Sequence, residues 1–126
     1  MNQQPKLFVL KLEVFPFDVL VAINKTPEQV KAWLSKRGID VSEETMNCMR
    51  KKKMNTGLFL VNETTNNAVI YIVSKDQEQS ICLFDHEKMH FLQYVMEVVG
   101  IPLTKDTDEV YAYSSAYLMK HFLRNY

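Results

Sequence analysis

Apolar and polar positions change rhythm several times along the chain. Phe8 to Val14 reads Phe-Val-Leu-Lys-Leu-Glu-Val, which alternates and includes β-branched residues, so a strand is predicted there. Phe15-Pro16-Phe17-Asp18 breaks it, because proline cannot donate to a ladder. Val19 to Ile23 predicts a second short strand. Thr26-Pro27-Glu28-Gln29 has the chemistry of a helix start, with Thr26 as cap, Pro27 in the first turn and Gln29 at the third position. Val30, Trp33 and Leu34 give that helix one apolar face, and Gly38 ends it. Ser42-Glu43-Glu44 opens another short helix, with Met46 and Met49 as its apolar residues.

Gly57 to Val61 and Ala68 to Val73 are apolar runs separated by Asn66-Asn67, and they predict a hairpin with a longish loop. The second run is almost wholly apolar, as expected of a strand covered on both faces for part of its length. Ser74 to Gln79 reads as a polar loop. From Ser80 the period becomes helical: Ile81, Phe84, Phe91, Leu92, Val95, Val98 and Val99 recur at three and four, up to Gly100 and Pro102. A cap-rich stretch from Thr104 to Glu109 precedes a last helix, from about Asp108 to Leu123. Strands and helices come first, then a hairpin, then two helices. This order predicts an α+β fold in which a small, partly antiparallel sheet packs against the last two helices.

Length and composition narrow the function classes. The 126 residues read as one domain, with an α/β part over about residues 1–56 and the hairpin and last two helices over about 57–126. Lys+Arg and Asp+Glu number 15 each, so no positive field favours nucleic acid. The run Arg50-Lys51-Lys52-Lys53 reads as a solvated helix end. No run approaches the ~20 apolar residues of a membrane span, and the polar start does not resemble a signal peptide. Cys48 and Cys82 have no paired spacing and read as free buried thiols in a reducing, cytoplasmic setting.

The chemistry concentrates in Asp85-His86-Glu87-Lys88-Met89-His90. His86 and His90 stand one helical turn apart and differ by only ~40° around the axis, so both imidazoles can approach one point. That suits two nitrogen ligands of a tetrahedral Zn2+. Glu87 lies about 60° from His90, at the edge of the same face, where its carboxylate can serve as general base toward a water. The competing reading is a pair of surface histidines on an ordinary helix. A catalytic zinc needs a third protein ligand, for which Glu109 leads, with Asp106 and Asp108 behind it. Glu109 also fits a capping box over Asp106-Thr107-Asp108-Glu109. Tyr113, one turn after Glu109, is the candidate donor to a developing oxyanion, set against a role as a packed aromatic. Glu97 could orient an imidazole, and His121 reads as a partner of the helix C-terminus.

His86-Glu87-Lys88-Met89-His90 and Glu109-Val110-Tyr111-Ala112 together resemble a small gluzincin-type zinc metallopeptidase. Asp108-Glu109-Val110-Tyr111-Ala112-Tyr113 is also similar to the corresponding helix of short phage and mobile-element proteins. The resemblance covers roughly the last 45 residues. It implies a minimal zincin-like fold in which His86, His90 and Glu109 are zinc ligands and Glu87 is the base. It also implies a site in the cytoplasm, or in a host or virion for a phage protein. The function expected is zinc-dependent hydrolysis of a peptide or protein, with Ala68 to Val73 binding substrate as an added strand. The alternative is a non-catalytic, zincin-like module that binds a protein partner. Nucleic acid and membrane are not expected partners, and the sequence leaves the oligomeric state open.

Overall fold

The structure is a computed structural model and describes residues 2–125. Four strands and four helices follow in the order β1 (Lys6–Lys11), β2 (Asp18–Ile23), α1 (Pro27–Ser35), α2 (Glu43–Arg50), β3 (Thr56–Asn62), β4 (Asn67–Val73), α3 (Gln77–Val99) and α4 (Asp108–Arg124). The strands form one mixed sheet in the order β1-β2-β4-β3. β1 pairs with β2 and β3 with β4 antiparallel, while β2 and β4 are parallel with Val21 opposite Ile70. The α+β class and the partly antiparallel sheet expected from the sequence are therefore present.

Alternation along the two central strands builds two cores. Val19, Val21 and Ile23 of β2 and Ala68, Ile70 and Ile72 of β4 point to one face, where Phe84, Phe91, Leu92 and Val95 of α3 and Leu118 and Phe122 of α4 cover them. Leu20, Ala22, Val69 and Tyr71 point to the other face, under Val30 and Leu34 of α1 and Met46 and Met49 of α2. Helices on both faces explain why β2 and β4 are apolar without interruption.

β4 is an interior strand, so it has no free edge for a substrate chain; β1 and β3 are the edges. Apolar composition marks burial on both faces, and a strand so buried tends to have two strand neighbours as well.

Local chemistry sets the helix ends. Thr26 and Gln29 form the expected capping box, at 3.1 Å and 2.9 Å. α3 begins three residues before the apolar period does, because the Asp76 carboxylate accepts from the Gln79 N–H at 2.9 Å and caps a polar first turn. Gly100 closes α3 at φ 76°, and Asn66 takes φ 59° in the β3–β4 turn. The box expected at the start of α4 does not form. Thr107 is the cap residue but directs its hydroxyl to Pro102 and Thr104, so Glu109 is not engaged there. Both cysteines are free; Cys82 is exposed, not buried as expected. No helix among the described residues is long and apolar enough to cross a membrane.

Candidate metal centre

α3 lies across the β3–β4 side of the sheet and turns one row of side chains toward β3. Phe91 packs on Phe59 of β3, with ring centroids 6.1 Å apart, and Tyr94 packs on the same ring at 6.3 Å. Glu87 belongs to this row. It is 6% exposed and rests on Gly57 of β3. His86 and His90 flank it on the outer surface.

The two imidazoles converge. Their Nε2 atoms are 3.4 Å apart, with ring centroids at 5.1 Å and planes at 69°. A tetrahedral ion held at zinc–nitrogen distances separates two such nitrogens by roughly 3.3 Å. The observed spacing is long for a hydrogen bond between rings and matches the bite of a shared metal. Glu87 Oε2 stands 3.7 Å from His86 Nε2. Ligand atoms of His86, Glu87 and His90 all lie within 4.8 Å of one another, so the three could hold a metal ion. Borderline nitrogen donors with one carboxylate suit zinc, and equally other divalent first-row metals.

α4 does not complete this group. It packs on the opposite flank of α3, over β1: Phe122 stacks on Phe84 at 4.0 Å and meets Phe8 of β1 at 5.8 Å, and the Ser115 hydroxyl lies 3.8 Å from the Met89 sulfur. The helices run antiparallel, so the level of Met89 matches that of Ser115. Glu109 lies six residues earlier, about 9 Å along the axis toward the far end of α3. It is exposed and, among the described residues, is not part of the His86–Glu87–His90 group. Asp106 and Asp108, beside it in sequence, are exposed and also outside the group.

Tyr113 is likewise elsewhere. Its hydroxyl donates to Glu13 Oε2 at 2.6 Å in the β1–β2 loop, and this bond raises the phenol above its ordinary range. Its ring stacks toward Tyr117, which in turn meets His121 at 4.3 Å. The reason for both placements is the same. A helical hairpin brings α4 alongside α3, but α4 docks through Phe84 at the first turns of α3 and through Met89, which lies about 160° around the helix from Glu87. Glu97 is exposed on α3, with no bond to either imidazole.

Two neighbours of the centre escaped the sequence reading. Lys88, inside the motif, is 5% exposed and pairs with Asp85 Oδ1 at 2.6 Å. Gly57 lies directly against Glu87; a glycine within an apolar strand is itself a signal of close approach. The chain matches no protein-family model, and no curated protein or solved structure matches it.

Proposed function

We propose that the protein is a minimal zinc-dependent hydrolase acting on peptide bonds. The observation that carries the reading is the pair of imidazole nitrogens at 3.4 Å with a buried carboxylate beside them on the same helix. His86 and His90 would hold the ion through Nε2, each as the neutral tautomer protonated at Nδ1. When bound, zinc supplies Lewis acidity toward a water and a substrate carbonyl. Glu87 takes the proton of the attacking water at its carboxylate and delivers it to the departing amine. Burial against β3 restricts that carboxylate to the side of the histidines. β3, the edge strand touching the centre, offers backbone groups to which an extended substrate could pair, in place of the interior β4. The motif's resemblance to gluzincins, and to short phage and mobile-element proteins, points the same way.

The position of Glu109 favours a second reading, a metal-binding module that docks a protein partner without cleaving it. Two histidines and one carboxylate already in the role of base leave the ion without a third ligand from α4. One experiment separates the readings. Glu87→Gln should retain zinc while peptide cleavage falls by about 10²–10⁴. A zinc-loaded wild-type protein that cleaves no member of a peptide library would overturn the first and leave the second.

A further inference from the structure

Two of the three glycines have an evident backbone role: Gly38 and Gly100 follow helices at φ +74° and +76°, and a Cβ on either would meet nothing within 4 Å. Gly57 differs in both respects. It lies inside β3, paired opposite Ile72, without a positive φ, so its backbone is one that any residue adopts. A Cβ there would stand 2.9 Å from Glu87 Cγ, 3.2 Å from Oε2 and 3.3 Å from Cδ. All three of those nearest atoms belong to Glu87.

We propose that Gly57 is the positioning residue for Glu87: its missing side chain is the seat that holds the carboxylate beneath the two imidazoles. The inference deepens the metal-centre reading and rests on it for its consequence, though not for its geometry. Glycine costs a strand stability relative to alanine, so its presence at a paired position with ordinary φ is accounted for by what packs on it. An added methyl group cannot share the space with Cγ. The backbone of β3 is held by pairing along Thr56–Asn62, so the Glu87 side chain is the part that yields, by swinging outward past His86 into solvent.

The test is a double-mutant cycle on the full chain: wild type, Gly57→Ala, Glu87→Ala and the double variant. Zinc affinity is read by competition with a chromophoric chelator, and unfolding temperature by calorimetry without metal. With Glu87 present, Gly57→Ala should lower the unfolding temperature and change zinc affinity to within about 2-fold of the change made by Glu87→Ala, since both take the carboxylate from beside the imidazoles. With alanine at 87, the same change should alter affinity less than about 2-fold and leave the unfolding temperature equal or higher, because the clash is gone and glycine's entropic cost is removed. Equal losses of unfolding temperature on both backgrounds would overturn the proposal. So would zinc affinity untouched by Gly57→Ala where Glu87→Ala lowers it. If none of the four chains binds zinc, the metal reading fails, and the metal-free cycle still decides whether Gly57 acts through Glu87.

Discussion

Replacing His90 with alanine removes one of the two nitrogens whose 3.4 Å separation defines the centre. Structural zinc sites with four ligands bind with apparent free energies of about 10–16 kcal/mol, or roughly 2.5–4 kcal/mol per ligand. Loss of one imidazole should therefore weaken zinc by about 10²–10³. His90 is exposed and its removal opens no cavity, so the fold itself should be unaffected. The assay follows from linkage. At a zinc concentration near 100 times the wild-type Kd, binding stabilises the native state by about 2.7 kcal/mol. A chain of 126 residues has an unfolding entropy near 0.26 kcal/mol/K, so the wild-type unfolding temperature should rise by about 10 °C. At that same concentration the variant sits near its own Kd at best. It gains about 0.4 kcal/mol, and its shift shrinks to under about 2 °C. Equal zinc-induced shifts in the two proteins would refute the idea that these nitrogens share an ion. A wild-type shift of zero up to millimolar zinc would refute the centre altogether.

Other consequences are equally open to measurement. Glu109→Gln should change zinc affinity by less than about 2-fold, as expected for an exposed residue outside the metal group; a loss resembling that of His90→Ala in the same titration would place Glu109 at the metal. Phe122→Ala, at a fully buried ring stacked on Phe84, should destabilise by about 3–5 kcal/mol and lower the unfolding temperature by about 11–19 °C, measured by calorimetry. Burial raises the Tyr71 phenol above its ordinary pKa near 10. Because the folded value is the higher one, stability is complete below about pH 10 and declines as pH rises beyond it. Tyr71→Phe should flatten that decline in denaturant titrations, while losing the 2.7 Å bond to the Lys25 carbonyl lowers stability at neutral pH.

The features legible in the sequence share one property: short-range chemistry sets them. The capping box at Thr26, the left-handed residues Asn66 and Gly100, and the convergence of His86 and His90 all follow from spacings of four residues or fewer. What could not be read depends on which side of one element faces another. The period of α3 supplies apolar positions all around Phe84, Met89, Phe91 and Leu92, so it does not reveal which flank takes α4 and which takes β3. A helical hairpin alone predicts Glu109 and Tyr113 beside the centre, whereas the stack of Phe122 on Phe84 carries α4 to the β1 side. The strand order was hidden for a similar reason. Nothing local to Ala68–Val73 announces that β2 arrives beside it in parallel. Gly57 was legible in principle, as a glycine in an otherwise apolar strand, but its partner Glu87 lies thirty residues away.

The parallel seam between β2 and β4 has a kinetic consequence. Val19 pairs with Ala68 across 49 residues of chain, and closing a flexible loop of that length costs on the order of 3.4 kcal/mol before any contact repays it. Gly57, His86, Glu87 and His90, by contrast, fall within a hairpin and the helix that follows it, where each pairing joins near neighbours. The chain thus separates its slowest search from its chemistry. Non-local pairing slows folding, and this seam is the most widely separated strand pairing of the sheet, while the geometry of the histidine pair is encoded in one contiguous stretch of α3.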